Sequence, residues 1–238
     1  GPNQITRDDG RRRIVISANA QERALSEVVA DLRAAVADFP LPEGYFITLG
    51  GQFQAQEEAA RLIALLALGS TALIFMVLYS RYRSGLLAAL IMANVPLALV
   101  GSVLGLWLSG QPLSVAALIG FITLAGIATR NGILKISHYL NLMRFEGESF
   151  SPAMIVRGSL ERLTPVLMTA LVAAFALVPL LFEAEQPGTE ILHPVAVVIF
   201  SGLISSTLLD TFVTPALFWL YGRKPAERLL AEGGDEAL

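Results

Sequence analysis

The stretch GFITLAGIATRNGILKISHYLNLM, residues 120–143, is long and apolar enough to cross a membrane, yet Arg130 lies near its middle. Lys135 and His138 follow within the next eight residues. A run of about 20 apolar residues covers the roughly 30 Å of hydrocarbon in a bilayer. A cation at that depth costs about 3 kcal/mol or more unless it is paired or hydrated, and such residues commonly mark ion or proton pathways. The stretch therefore predicts a membrane helix with a functional polar side.

The rest of the chain has the composition of an integral membrane protein. Of its 238 residues, 54% are hydrophobic and 16% are charged, against about 25% charged in a typical soluble domain. The sequence contains no cysteine, which excludes disulfides, thiolate ligands and thiol catalysis within it. The net charge of −3 gives no indication of nucleic-acid binding. The first methionine is Met76 and no signal peptide is visible, so we expect a piece of a longer protein.

Five apolar segments predict five transmembrane helices, near 60–80, 86–108, 113–142, 164–182 and 194–221. Lysine and arginine follow the first, third and fifth segments and are absent from the other two connections. By the positive-inside bias, the basic connections face the cytoplasm and the N-terminal segment lies outside, in the periplasm if the cell has one. We therefore expect a multi-pass membrane protein with a cytoplasmic tail at 223–238.

The segments outside the spans have patterns of their own. Residues 1–58 predict a strand–helix–strand fragment, with strands in RRRIVISANA (11–20) and GYFITLGG (44–51) around an amphipathic helix at 25–36. Such a unit is too small to bury a core alone, so we expect it to need partner strands. Near 151–162, Ser151 and Pro152 predict the start of a short amphipathic helix on the inner membrane surface. A partner-docking helix is the alternative. The predicted fold class is an all-α membrane bundle at 59–222 with an N-terminal α+β periplasmic fragment.

The polar residues of the third span share one side of the helix. At about 100° per residue, they fall within an arc of roughly 160°. They are Arg130, Asn131, Lys135, Ser137 and His138. Lys135 lies about 13 Å from the cytoplasmic end, within reach of snorkelling, and we interpret His138 as an interfacial or helix-contact residue. Arg130 lies about 20 Å deep, so we assign it a functional or pairing role.

Asp210 in the fifth span is the natural counter-charge, because it lies about 19 Å deep, near the level of Arg130. A buried Arg130–Asp210 contact and a structural aspartate satisfied by neighbouring hydroxyls both remain open. Thr169 in the fourth span is interpreted first as bonding to its own helix backbone. Gly101 and Gly105 form a GxxxG pattern that predicts close helix packing.

The sequence gives little indication of a metal site or of an enzyme. Glu183, Glu185 and His193 could hold a cation, but their spacing matches no strong metal signature, and a solvated loop is the preferred interpretation. The sequence has no HExxH, no GxSxG and no pair of intramembrane aspartates, so an enzyme is not expected. We predict no cofactor. Proline is expected to kink three of the spans, at Pro96, Pro179 and Pro215.

Five stretches together resemble the C-terminal part of a resistance-nodulation-division (RND) permease. In chain order they are GGQF, SRYRS, GFITLAGIATRNGILKISHYLNLM, GSLERLTPVLMTALVAAFALVPL and GTEILHPVAVVIFSGLISSTLLDTFVTPALFW. The sequences of these stretches are most similar to those of the heavy-metal efflux branch of the family. The resemblance covers residues 1–224 and implies the end of the second porter region and spans 8–12 of a twelve-span permease.

The resemblance also implies a function. It implies proton-driven export of heavy-metal cations by a homotrimer in the inner membrane of a Gram-negative bacterium. This homotrimer works with a periplasmic adaptor protein and an outer-membrane channel. Two alternatives remain: export of drugs or other organic compounds, and a fragment that cannot transport and only pairs with a missing N-terminal half. The family's metal-coordinating methionines lie in other periplasmic regions, so no metal site is expected in these 238 residues.

Two residues match positions of the family's proton relay. Arg130 falls at the charged position of the tenth span and Thr169 at the hydroxyl position of the eleventh. Because arginine stays protonated, the resemblance implies that Arg130 holds and releases a titrating carboxylate, either on the absent fourth span or at Asp210. Asn131 and Lys135 complete the candidate set of intramembrane polar residues.

Overall fold

The computed structural model describes residues 6–8, 10–18, 25–37, 39–111, 113–182 and 192–232. The chain divides into two compact units, Gly1–Ala55 and Gln56–Leu238. Among the described residues there are two short strands and eight helices.

The N-terminal unit confirms the predicted helix but not the predicted strands. Strands β1 (Thr6–Asp8) and β2 (Arg11–Arg13) form a small antiparallel hairpin, and helix α1 spans Leu25–Ala37. The strand predicted at 11–20 stops at Arg13, and the strand predicted at 44–51 is wrong, since residues 45–50 carry no strand. A strand needs a neighbour for its backbone groups. None lies beside these segments in the described ranges, and Ile14 and Ile16 are each 91% exposed. The described residues of this unit therefore show the helix and a short hairpin, but not the predicted strand–helix–strand fragment.

The second unit is a bundle whose helices match the five predicted spans. Its helices are α2 (Gln52–Tyr82), α3 (Gly85–Met92), α4 (Asn94–Leu108), α5 (Val115–Phe145), α6 (Pro152–Phe182), α7 (Leu192–Tyr221) and α8 (Arg223–Glu232). In the described part of the chain, five segments are long and apolar enough to cross a membrane, with α3 and α4 counted as one. That span is broken at Ala93 because Pro96 has no N–H for the carbonyl of Met92. Helix α8 covers Arg223–Glu232 of the predicted tail.

Helix α6 joins two segments that the sequence predicts separately. Ser151 caps its start as predicted, with Oγ accepting a hydrogen bond from the Met154 backbone N–H (3.2 Å). The helix then continues through Pro165 and Pro179 to Phe182. Each proline removes only one backbone hydrogen bond. An apolar segment in lipid has no water to replace the others, so the helical state persists.

Contacts between helix ends define one end of the bundle. The rings of Phe150, just before α6, and Trp219, near the end of α7, stack with centroids 5.4 Å apart. Tyr82, the last residue of α2, lies 2.7 Å from the Ser137 hydroxyl on α5. We call this end, where α2, α5 and α7 end and α6 begins, the basic end, because arginines cluster in its connections.

The tightest packing joins α4 and α7. A Cβ atom added at Gly101 would meet Ser205 and the Ser201 carbonyl, and one added at Gly105 would meet Ser201. Ser205 Oγ donates a hydrogen bond to the Leu97 carbonyl across the same contact (2.8 Å). The close packing predicted for the GxxxG pattern is confirmed, and we call this contact the α4–α7 seam.

The spans differ in how far the bundle covers them. About half of the most apolar part of α7 is buried, and nearly as much of the α3–α4 span. Almost none of the corresponding parts of α2 and α6 is buried. Helices α4, α5 and α7 therefore form the centre of this unit, and α2 and α6 present apolar surface to their surroundings.

Candidate functional site: a buried ion pair between α5 and α7

Lys135 on α5 and Asp210 on α7 form an ion pair inside the bundle. Lys135 Nζ lies 2.5 Å from Asp210 Oδ2, and the two side chains are 5% and 2% exposed. The same ammonium donates to the backbone carbonyl of Asp210 (2.8 Å). Counted from the last residues of their helices, Phe145 and Tyr221, rather than from the arginines used above, both residues lie about 15 to 17 Å from the basic end. An unpaired charge at that depth is costly. Each residue lowers the free-energy cost of the other's charge by pairing with it.

Neutral polar groups complete the surroundings of the aspartate. Asp210 Oδ1 accepts a hydrogen bond from the Thr214 hydroxyl (2.6 Å), which also lies 2.8 Å from Asn94 Oδ1 at the start of α4. All of these side chains are buried. We call Asn94, Lys135, Asp210 and Thr214 the Asp210 cluster. It connects α4, α5 and α7 at one level of the bundle.

Arg130 does not take part in this cluster. The hypothesis of an Arg130–Asp210 contact is not fulfilled in this structure, because Asp210 bonds to Lys135 and Arg130 is exposed. Arg130 and Lys135 are five residues apart, or about 140° around the helix. One polar arc is therefore wide enough to face two environments. The alternative was that neighbouring hydroxyls satisfy Asp210. The Thr214 hydroxyl does so, but the main partner of Asp210 is Lys135.

The sequence contains a signal for the true pairing. The depth estimates of about 13 Å for Lys135 and 19 Å for Asp210 differ by about the length of a lysine side chain. A lysine at a snorkelling position can thus reach inward to an acid as readily as outward to the interface.

The remaining candidate residues lie outside the Asp210 cluster. Thr169 is exposed, and its hydroxyl donates to the carbonyls of Pro165 (3.1 Å) and Val166 (2.9 Å) on its own helix. This confirms its interpretation as a backbone-bonded threonine. Asn131 is half-buried on α5. The structure thus brings together two of the five candidates, and Arg130 and Thr169 remain on exposed surface.

A network of charged residues holds the connection between α5 and α6 at the basic end. Arg157 contacts Glu146 (2.6 Å), Glu148 (2.8 Å) and Glu161 (2.9 Å). Glu161 in turn lies 2.7 Å from His138 Nε2 on α5. The interpretation of His138 as a helix-contact residue is confirmed, and the network fixes the turn that carries the chain from α5 to α6.

The cation site considered at the opposite end is not formed by the residues that the structure describes. His193 is buried, and its Nδ1 lies 2.9 Å from the Leu180 carbonyl on α6, so this histidine joins two helices rather than lying in a solvated loop. Glu183 and Glu185 lie outside the described residues. Within the described ranges, no group of three potential metal-ligating side chains occurs.

Comparison with known proteins agrees with the fold. The profile of the AcrB/AcrD/AcrF family matches residues 1–222. The chain is 40% identical over 225 residues to the cobalt-zinc-cadmium resistance protein CzcA of Cupriavidus metallidurans, covering 94% of this chain and 21% of that protein. It is 32% identical over 234 residues to the cation efflux system protein CusA of Escherichia coli (strain K12), covering 93% of this chain and 22% of that protein.

A solved structure gives the same result. A crystal structure of a heavy metal efflux pump superposes with a TM-score of 0.73 at 33% identity, covering 86% of this chain and 20% of that one. The chain therefore spans about a fifth of the length of the relatives it matches. Together with the apolar helices, these matches confirm the resemblance drawn from the motifs: the chain belongs to the AcrB/AcrD/AcrF family of resistance-nodulation-division permeases, and it is a multi-pass membrane protein.

Proposed function

We propose that this chain is the C-terminal part of a proton-driven permease that exports heavy-metal cations across the cell envelope. The observation that carries the proposal is its identity of 30–40% with proteins named for cation efflux or metal resistance. One of them, at 38%, is the nickel and cobalt resistance protein CnrA of Cupriavidus metallidurans. These names favour metal cations over organic compounds as the exported substrate.

The orientation follows from the basic residues. The basic end of the bundle faces the cytoplasm, since Arg81, Arg144 and Arg223 lie there. Residues 1–58 then lie in the periplasm and the helices cross the inner membrane. The complete protein acts as a homotrimer with a periplasmic adaptor protein and an outer-membrane channel, the arrangement that the family resemblance implies.

Arg130 is the residue of this chain that we assign to proton coupling. It is exposed on α5, although an unpaired cation at its depth is costly in lipid. Its partner therefore belongs to the remainder of the permease, where a carboxylate on another span is expected. Because the guanidinium stays protonated, Arg130 holds that carboxylate while it is ionised and releases it when it takes up a proton. Thr169, also exposed, belongs to the same proposed contact surface.

The test is metal resistance conferred by the full-length protein in a metal-sensitive, efflux-deficient strain. We expect protection against cobalt, zinc or cadmium salts by the wild type and loss of protection in Arg130→Ala at equal membrane abundance. Arg83→Ala, which changes an exposed arginine in the turn after α2, is the matched control and is expected to retain protection.

The outcomes separate the alternatives. Unchanged resistance in Arg130→Ala would remove Arg130 from the coupling mechanism. Protection against dyes and drugs without protection against metals would select export of organic compounds. No protection of either kind by the full-length protein would favour the non-transporting interpretation.

A further inference from the structure

The two histidines of the chain both contact α6, one near each end of that helix. Near the basic end, His138 Nε2 on α5 lies 2.7 Å from Glu161 Oε2 on α6. Near the other end, His193 Nδ1 on α7 lies 2.9 Å from the Leu180 carbonyl. Almost none of the most apolar part of α6 is buried. The position of α6 in this unit therefore depends on the contacts near its ends.

The two contacts differ in how they respond to protonation. A neutral imidazole donates from Nδ1 to a carbonyl, so the bond between His193 and Leu180 needs no charge. His138 instead contacts a carboxylate, to which the neutral ring donates its Nε2–H. When the ring also takes up a proton at Nδ1, this contact becomes an ion pair and is stronger. Histidine changes its charge between about pH 5 and 8. Of the two contacts, the one at the basic end is therefore expected to strengthen as the pH falls.

The proton that His138 takes up comes from water at the basic end. Helix α5 (Val115–Phe145) is about 46 Å long, so a hydrocarbon layer of about 30 Å centred on it leaves about 8 Å outside at each end. His138 lies about 10 Å from Phe145, close to that boundary, and its side chain is 18% exposed. The partly exposed Arg157 network adjoins it through Glu161. Protonation of His138 therefore needs no path through the bundle.

The other charged groups around this contact do not titrate in the same pH range. Carboxylates, ammonium groups and guanidinium groups ordinarily keep their charges between about pH 5 and 8. On α6 and in the connection before it, these groups are Glu146, Glu148, Arg157, Glu161 and Arg162. On α5, Lys135 lies one turn before His138 and is bound to Asp210. Helix α2 contributes the neutral Tyr82, whose hydroxyl contacts Ser137. His138 is therefore the group of this set whose charge follows the pH near neutrality.

We propose that the His138–Glu161 contact is a pH-sensitive restraint between α5 and α6, which is tight when the cytoplasm is acidic and loose when it is alkaline. Helix α5 carries Arg130 and α6 carries Thr169, both on the surface assigned above to proton coupling. The tight contact restrains these two residues relative to each other and slows the cycle of proton uptake and release. Since proton-driven export brings protons into the cytoplasm, the contact limits acidification by the pump itself. This role in transport rests on the proposed function.

Two variants fix the charge at position 138, and two more test its partner. His138→Gln is neutral at every pH, and His138→Lys keeps its positive charge. Glu161→Gln removes the negative charge from the contact, and Glu227→Gln makes the same change at an exposed position on α8. Proton-driven zinc transport by the full-length protein in proteoliposomes is measured at pH 6 and pH 8, with a constant pH difference across the membrane. Each rate is divided by the wild-type rate at the same pH, which removes the pH dependence of all other groups.

The expected changes have opposite signs at the two pH values. At pH 6 we expect His138→Gln and Glu161→Gln to be about threefold faster than the wild type, the effect of one partly exposed ion pair. At pH 8 both should match it. His138→Lys should match the wild type at pH 6 and be about threefold slower at pH 8. Glu227→Gln should match it at both. Damaged packing does not make one variant faster in acid and another slower in alkali.

A second measurement reports the contact without transport. Spin labels on Thr123→Cys of α5 and Phe175→Cys of α6, both exposed positions, should give a narrower distance distribution at pH 6 than at pH 8. In His138→Gln the distribution should be broad at both. Label distances that do not depend on pH would overturn the restraint, and rate ratios that do not depend on pH would overturn its role in transport. Either result leaves the proposed function intact, whereas a wild type without proton-driven metal transport would overturn the proposed function and this role together.

Discussion

Lys135→Met removes one charge of the Asp210 cluster and leaves the other buried. At the 2.5 Å separation of Nζ and Oδ2, two unit charges attract by about 7 kcal/mol at an effective dielectric constant of about 20. The cost of taking both groups out of water offsets most of this attraction, but truncating one partner of a buried pair still costs about 3–5 kcal/mol. Because Thr214 continues to donate to Asp210, we expect a loss at the lower end, about 3 kcal/mol.

The pairing itself is measured by a double-mutant cycle. Asp210→Leu leaves the ammonium without its carboxylate and is expected to cost a similar amount. The double variant Lys135→Met, Asp210→Leu removes both charges and keeps apolar volume, so it should be much less unstable than the two single losses added together. We expect a coupling energy of about 3 kcal/mol between the two positions.

The assay is unfolding of the purified full-length protein in mild detergent by titrated sodium dodecyl sulfate, followed by circular dichroism. Lys224→Met, which makes the same change at an exposed position on α8, is the matched control and should change stability by less than about 0.5 kcal/mol. The reasoning would be refuted if Lys135→Met were no more costly than Lys224→Met. Additive losses in the double variant would likewise show that the two residues do not stabilise one another.

Three further predictions concern the α4–α7 seam, the Asp210 cluster and the turn between α5 and α6. Gly101→Ala should destabilise the protein by about 1–3 kcal/mol because the α4–α7 seam has no room for a methyl group, whereas Gly126→Ala, at open space on α5, should be neutral or stabilise by up to about 1 kcal/mol. Thr214→Val should cost about 1–3 kcal/mol, since Asp210 Oδ1 loses its donor. Arg157→Gln should speed protease cleavage between α5 and α6, with the wild type approaching the variant in high salt because exposed ion pairs are screened.

Each of these predictions has an outcome that contradicts it. Equal stability of the Gly101 and Gly126 variants in the detergent assay would mean that the seam can open at little cost. A wild-type unfolding midpoint for Thr214→Val would mean that Asp210 does not depend on that hydroxyl. An unchanged cleavage rate in Arg157→Gln would mean that apolar contacts, rather than the Arg157 network, hold the turn between α5 and α6 in place.

The parts of the fold that depend on local properties were predictable from sequence. Span length and apolar content belong to each segment alone, and all five spans lie where the hydropathy places them. The strand predicted at 44–51 depends on a neighbouring strand, and without one its residues stay exposed and irregular. The break at Ala93 was predictable only in part. Pro96 predicts a kink in this span, but not the residue at which the helix is interrupted.

The candidate site was predictable as a set of residues but not as a set of contacts. Depth along a helix follows from counting residues, and it placed Arg130 and Asp210 at one level. Which sides of two helices face each other depends on packing, chiefly on the small residues of the α4–α7 seam that fix how α7 is rotated. That rotation turns Asp210 toward Lys135 and leaves Arg130 outside.

The continuity of α6 has a mechanical consequence. A helix of 31 residues is about 46 Å long, and here it carries the Arg157 network at one end and Phe182 near the other. Tilting such a rod by about 10° about its midpoint would displace each end by about 4 Å in opposite directions. Had the amphipathic segment been a separate helix on a flexible joint, the same tilt would have been lost at the joint. A continuous helix can therefore couple a small movement at one membrane surface to an opposite movement at the other.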